Sequence, residues 1–308
     1  MKRFKLAKTI AVDPTLSSVA IDNYSFHVRV FGVPSSPPVI VVHGGPGADL
    51  NYLLPMRQLA KNFFVIFYDQ RGTGLSPRVA RAELTLEQNL QDLQALVRHF
   101  GRGRPVRLIG HSWGAMLSIC LLGRAPELIE SAVAVEPGML TPDTAVEFVR
   151  QFKAMQRLSD VLPLGAYMLE SLLVPVHDGQ ERLDYVMTRM LNRNKPGGPY
   201  QCEGVAMPND AFLRGGYAAF KAMLNPIFSD PRKFCWNMTE NIDRFHGRLL
   251  MLSSECSFIG FDYQQQFHLP LLPPATIHRR AEKMGHNMLT LNADWACGVI
   301  EEFFQGKS

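Results

Sequence analysis

Hydrophobic residues along this chain fall into short β-branched runs that alternate with stretches of helical spacing. Pro38 to Val42, Phe63 to Tyr68, Val106 to Ile109, Ser131 to Val135 and Arg248 to Leu252 are apolar on both faces. That is the pattern of strands in a mostly parallel sheet covered by helices on each side. Val19 to Ile21 and Phe26 to Phe31 read as an antiparallel opening pair, and Ala275 to Arg280 as the last strand. Leu86, Leu90, Leu93, Val97 and Phe100 recur at helical spacing, with Thr85 as the N-cap and Gly101 as the stop. Ala115 to Arg124 is a second helix, broken at Pro126, and Trp295 to Phe304 a terminal one.

After Glu136-Pro137-Gly138 the alternation stops for roughly 110 residues, too long for one ordinary connection. Val146, Val149 and Phe152 with Met155 or Leu158 predict one amphipathic helix, and Leu183, Val186, Met187 and Met190 another. Asn192 to Tyr200 is a Pro/Gly-rich joint. The expected organisation is an α/β core from residues 1–138 and 247–308, with a helical cap of residues 139–246 inserted in it. The Met and aromatic content of the cap is ordinary for helix packing, and it also suits a pocket beneath a lid.

Three segments carry the candidate chemistry. Gly110-His111-Ser112-Trp113-Gly114 lies between a predicted strand and a predicted helix, the context of a G-x-S-x-G nucleophile elbow. His43-Gly44-Gly45-Pro46-Gly47 begins at the carboxyl end of the Pro38 to Val42 strand, where open α/β sheets place their ligands. Acyl transfer needs donors aimed at an oxyanion, and rigid backbone N–H groups supply them. The expected pair is the amides of Gly45 and Trp113. The third segment, Asp69-Gln70-Arg71-Gly72-Thr73-Gly74-Leu75-Ser76, comes directly after the strand that ends at Tyr68. Its Asp69 and Arg71 read as structural, holding the loop beside the elbow.

Together these segments resemble the proline iminopeptidase branch of the α/β-hydrolase superfamily, whose members carry HGGPG, DQRG-x-G and G-x-S-W-G in this order. The resemblance covers the chain from about Val19 to its end. It departs from the family at Leu75, usually Arg, and at His111, usually Gly. It implies an α/β-hydrolase fold and a triad in the order serine, acid, histidine. Ser112 would be the nucleophile. His286, in a Gly-His loop after the last predicted strand, is the expected base, ahead of His278, His268, His43 and His111. Relatives place the acid after the penultimate core strand, where Ser257 holds the usual register and Glu255 is the nearest carboxylate. Glu255 is therefore the expected acid, with Glu136 as the runner-up and Asp262 third.

The resemblance further implies release of N-terminal proline from short peptides. That activity calls for cap carboxylates to meet the substrate ammonium; Glu203 and Glu240 are the candidates, although neither sits in a recognisable motif. An esterase, lactonase or amidase acting on a small acyl compound would use the same machinery. A ligand-binding protein on a hydrolase scaffold is a third reading, opposed by the complete Ser/His/acid set. Haloalkane and epoxide chemistry is disfavoured because the elbow carries serine.

Composition is compatible with such an enzyme. The 308 residues are 46% hydrophobic and carry a net charge of only +4, with no basic block to suggest a nucleic-acid partner. No apolar run reaches the ~20 residues of a membrane span, and no secretory signal is visible near Met1. Five cysteines at irregular spacing give neither a disulfide framework nor a metal pattern. The expectations are a cytoplasmic location, no metal, no cofactor, and a small-molecule or short-peptide substrate as the partner, with oligomeric state open.

Overall fold

Eight strands form one sheet in the order β1-β2-β4-β3-β5-β6-β7-β8 in a computed structural model that describes residues 5–155, 162–193 and 198–306. They are β1 (Ser18–Ile21), β2 (Tyr24–Phe31), β3 (Pro38–Val42), β4 (Phe64–Tyr68), β5 (Val106–His111), β6 (Ile129–Val135), β7 (Arg248–Ser254) and β8 (Ile277–Ala281). β1 and β2 pair antiparallel, as does β2 with β4, and every later pairing is parallel. This is the α/β-hydrolase fold that the sequence predicts, with the strands within a few residues of their expected bounds.

Strand alternation divides the core in two. Ile40, Val42, Ile66 and Leu108 pack on one face, while Val39, Val41, Val65, Phe67 and Ile109 pack on the other. The first face is covered by α1 (Leu86–Gly101) and α2 (Trp113–Arg124), through Leu90, Leu93, Val97, Leu117 and Leu121. The second is covered by the 3₁₀ helix Asn51–Lys61 and the final helix, through Leu53, Met56, Ile300 and Phe303. Thr85 caps α1 as expected, its side chain accepting from the Gln88 amide. The stop falls one residue later than Gly101: Arg102 takes the left-handed conformation that closes the helix. At the sheet edge, β8 carries His278, Arg279 and Arg280, charge that discourages pairing with another chain.

Between β6 and β7 the described chain forms helices and turns. The longer helices are α3 (Pro142–Met155), α4 (Pro163–Ser171), α5 (Glu181–Leu191) and α6 (Tyr217–Met223). The predicted apolar faces are rotated from the observed ones. Val146 and Leu183 are exposed, whereas Phe148 and Val149 of α3 and Tyr185 and Val186 of α5 are buried. Spacing finds a helix, but which stripe packs is decided by its neighbours. Leu158, and residues 194–197 of the predicted joint, lie outside the described residues.

Besides apolar packing of Phe148, Met223, Phe234 and Met238 into the first-face cluster, two devices tie this segment to the rest. Arg214, fully buried, donates to Asp178 and Asp184 at 2.9 and 2.8 Å, and Arg78 of the core pairs with the same Asp184 at 2.8 Å. Beside them Asp49, after the His43-Gly44-Gly45 loop, accepts the amides of Leu213 and Arg214, and the Gly216 amide donates to Gly47 O. The second device is a disulfide between Cys202 and Cys256. It corrects the expectation drawn from cysteine spacing, because the partners stand 54 residues apart and only the fold brings them together.

Removing one partner of a buried ion network leaves charge unpaired. Arg214→Ala is therefore expected to lower stability by about 3–5 kcal/mol in chemical denaturation. A loss below about 1 kcal/mol, the range of surface pairs, would mean that Arg78 alone satisfies Asp184.

Candidate active site

The site forms where the carboxyl ends of β3, β5 and β6 meet. Ser112 follows β5 directly and turns the chain into α2 with φ 56° and ψ −116°, a left-handed conformation that a non-glycine residue adopts only under constraint. The constraint is close packing. A Cβ on Gly114 would collide with the Val42 carbonyl, and one on Gly110 would lie 2.5 Å from Gly114 O. A Cβ on Gly44 would stand 3.1 Å from the Ser112 Cβ, so the loop after β3 lies against the serine. The Ser112 amide donates to Val135 O at 2.9 Å, which fixes the elbow to the end of β6.

The next residue after that carbonyl is Glu136, fully buried and also at positive φ, 45°. One carboxylate oxygen accepts the Ser254 amide at 2.5 Å, and the other meets His286 Nδ1 at 2.5 Å. His286 is buried in the loop after β8. With Nδ1 donating to Glu136, its Nε2 is left as the free, basic nitrogen.

Glu255 does not take this place, contrary to the sequence-based expectation. Its carboxylate accepts the Lys283 amide at 2.7 Å and pairs with Arg280 at 3.2 Å on the protein surface. The Lys283 amide is the main cause holding that carboxyl below its usual value. Its backbone leaves the end of β7 toward β8, its amide donating to Ala281 O, so the extra methylene of glutamate cannot redirect it. A carboxylate directly after the apolar run Ala132 to Val135, just before Pro-Gly, was the signal for Glu136. Asp262, the third candidate, lies in the helical turn Phe261–Tyr263 beyond β7.

The three motifs are wired together. Gln70 of DQRG donates from its side chain to His43 O at 2.7 Å and accepts the Trp113 indole N–H at 3.1 Å. Its amide donates to His43 Nε2 at 3.0 Å, so His43 must carry its proton on Nδ1, which donates to Gly44 O. Burial lowers the His43 pKa, in keeping with a neutral ring. Asp69 accepts the Leu50 and Leu75 amides, each at 2.7 Å, and bonds His27 Nδ1; Arg71 forks onto Asp92 with two 2.8 Å bonds.

His111, the departure within the elbow, has a clear placement. Its Nε2 lies 2.9 Å from the His286 carbonyl, an obligate acceptor, so Nε2 donates and Nδ1 accepts from the Tyr52 hydroxyl at 2.7 Å. The Tyr52 oxygen in turn accepts the Gly44 amide at 2.8 Å. Burial and the adjacent His286 keep the His111 pKa well below the usual imidazole value. This relay was not legible in the sequence, because Tyr52 belongs to no motif. It also consumes the Gly44 amide, which leaves Gly45 as the next donor of the loop. Trp113 is the first residue of α2, and helix geometry gives that amide no partner within the helix.

The ammonium-binding candidates fall elsewhere. Gly123 lies against the Glu240 backbone, so Glu240 is beside the far end of α2, ~15 Å along the helix from Trp113 at 1.5 Å per residue. That position removes it from the site. Glu203 is exposed in the turn after Cys202, three residues from Tyr200, whose ring centroid is 4.9 Å from that of His286.

Comparison with known proteins agrees with this architecture. The alpha/beta hydrolase fold family matches residues 37–168. A probable aminopeptidase, YbaC, of Bacillus subtilis (strain 168) is 28% identical over 164 residues, 49% of this chain and 50% of that protein. A proline iminopeptidase of Heyndrickxia coagulans is 37% identical over 106 residues, 34% of this chain and 36% of that protein. The chain thus spans half or less of the length of these relatives. The crystal structure of proline iminopeptidase from Mycobacterium smegmatis covers 94% of this chain and 98% of its own, with TM-score 0.63 and 17% identity, a likeness of fold. The chain has the α/β-hydrolase fold, residues 37–168 match that family, and the chain is similar to proline iminopeptidases over part of its length.

Proposed function

We propose that the protein is a serine hydrolase that cleaves an amide or ester through an acyl-enzyme. The observation that carries this reading is the buried His286–Glu136 pair beside a strained Ser112 elbow, with Glu136 next to the Val135 carbonyl that accepts the Ser112 amide and the His286 carbonyl 2.9 Å from His111 Nε2. Ser112 Oγ attacks the carbonyl carbon while His286 Nε2 accepts its proton. Glu136 fixes the imidazole tautomer and stabilises the imidazolium, held in turn by the Ser254 amide. The Gly45 and Trp113 amides face the developing oxyanion, where preorganised donors contribute most. His286 then protonates the leaving group, and water resolves the acyl-enzyme by the same steps in reverse. Residues 139–246 act as a cap over this site.

For the substrate, we propose an aminopeptidase releasing N-terminal proline from short peptides, supported by the HGGPG, DQRG and GHSWG set and by the names of the relatives. A second reading, hydrolysis of a small ester, lactone or amide, is favoured by the placement of the cap carboxylates. Glu240 stands away from the site, and Glu203 is exposed rather than enclosed with an ammonium.

Turnover of proline anilide with a free amine, its N-acetylated form, alanine anilide and simple acyl esters separates these readings, with Ser112→Ala as the blank. Cleavage of the free-amine proline anilide that N-acetylation abolishes supports the aminopeptidase; cleavage of esters alone selects the second reading. Activity that survives Ser112→Ala would sink the mechanism. The acid is tested separately. Glu136→Gln is expected to lower kcat by about 10⁴-fold, the cost of the wrong histidine tautomer, with folding intact. Glu255→Gln should stay within about twofold of the parent, as a residue outside the transition state does. The reverse ranking would return the acid to β7.

A further inference from the structure

We infer that the Cys202–Cys256 disulfide is a redox-sensitive clasp that positions His286 through the strap of residues 198–202, an inference that rests on the mechanism proposed above. The strap crosses the base directly. Tyr200 O accepts the His286 amide at 2.7 Å, and the Tyr200 ring packs on the imidazole with centroids 4.9 Å apart. On the residue before the base, a Cβ at Gly285 would lie 2.6 Å from Tyr200 O and 2.5 Å from Gln201 Oε1. His286 therefore has its backbone and one ring face set by a segment that belongs to the insertion, not to the sheet.

What holds the strap down is concentrated in one place. Cys202 is bonded to Cys256, the Phe258 amide donates to Pro199 O at 2.9 Å, and the Tyr200 and Phe258 rings meet edge to face at 5.0 Å. The Cys256 amide donates to Met284 O at 3.0 Å, so the clasp is joined at one end to the strap and at the other to the loop that carries His286. An opposing tendency is built in. Gln201 Oε1 and Nε2 are buried with no partner among the described residues, and lifting the strap would let both reach water. A covalent clasp overrides that tendency; two thiols in its place do not.

Reduction supplies the switch. A dithiol transfers two electrons and two protons to the Cys202–Cys256 sulfurs, the S–S bond breaks, two thiols form, and the reductant leaves as its own disulfide. Freed at Cys202, the strap lifts, and His286 loses both its amide acceptor and its ring contact. Where thiol reductants are abundant, the disulfides that do form are usually transient and catalytic or redox-sensing. Tyr200 and the two cysteines are positioning residues, acting on the base without touching substrate.

The test compares the protein before and after dithiothreitol, using p-nitrophenyl acetate. Thiols titrated in denaturant should number three, from Cys120, Cys235 and Cys297, and rise to all five on reduction. Because a displacement of about 1 Å can cost about 100-fold, kcat is expected to fall at least ~10-fold while KM changes little. Reoxidation with oxidised glutathione should restore it. Cys202→Ser/Cys256→Ser should match the reduced protein and ignore dithiothreitol; Cys235→Ser should behave as the parent. In the oxidised protein, Tyr200→Phe keeps the ring contact and should retain turnover, whereas Tyr200→Ala should reproduce the fall. That pair carries the test if reduction unfolds the chain.

Five thiols in the untreated protein, an unchanged kcat after reduction, or a change confined to KM would overturn the clasp. So would equal turnover for Tyr200→Ala and Tyr200→Phe. None of these outcomes touches the mechanism itself, which fails only if the oxidised protein shows no turnover that depends on Ser112.

Discussion

Everything in the site depends on how closely three stretches of backbone approach one another at the carboxyl ends of β3 and β5. Gly114 sits against the Val42 carbonyl, Gly110 against Gly114 O, and Gly44 against the Ser112 Cβ. Side chains at these positions would force the loop after β3 away from the elbow. Their absence permits the approach, and the approach holds Ser112 at φ 56°. The spacing of glycines around the serine is thus a packing requirement with a chemical consequence. It brings the loop after β3 against the proposed nucleophile, the arrangement on which the proposed Gly45 and Trp113 donors rest.

Backbone packing alone would leave this junction full of buried polar groups. Gln70 and Tyr52 settle most of them. Gln70 joins the carbonyl of His43 to the indole of Trp113, and Tyr52 joins the Gly44 amide to His111. Neighbouring bonds fix the proton on each ring: the Gln70 amide leaves it on His43 Nδ1, the His286 carbonyl holds it on His111 Nε2, and Glu136 holds it on His286 Nδ1. Three imidazoles in one apolar region would repel one another if charged. The wiring and the burial keep His43 and His111 neutral, so the one ring poised beside a carboxylate is His286. Departure from the family pattern at His111 gives the His286 carbonyl a donor that glycine could not supply.

The elements that were legible in the sequence are those whose causes are local. Apolar runs such as Pro38 to Val42 identify strands, Thr85 identifies a helix start, and the glycine motifs identify the elbow and its loop. Legibility ended where the deciding partner is distant along the chain. Glu136 and Glu255 both follow core strands, and only the path of β7 toward β8, which turns Glu255 onto Arg280 and Lys283, separates them. The cysteines are similar: nothing near Cys202 announces Cys256. In α3 and α5 the period was visible but the buried stripe was not, because Phe148 and Tyr185 are selected by the surfaces they meet.

The same distinction separates chemistry from specificity in this fold. Ser112 and Glu136 directly follow β5 and β6, strands whose parallel neighbours fix them on both sides. The insertion, by contrast, is attached through side chains: apolar packing of Phe148, Met223 and Met238 onto the first face of the sheet, Arg78 with Asp184, Asp49 with the Leu213 and Arg214 amides, and Cys202 with Cys256. Between such points its helices can differ in length and composition without disturbing the elbow, which lets one nucleophile serve different substrates. His286 is the exception. It rests on a loop rather than a strand, and one face of its ring packs on Tyr200 of the insertion. A change in the insertion near Tyr200 therefore reaches His286, whereas the same change near Glu240, at the far end of α2, does not.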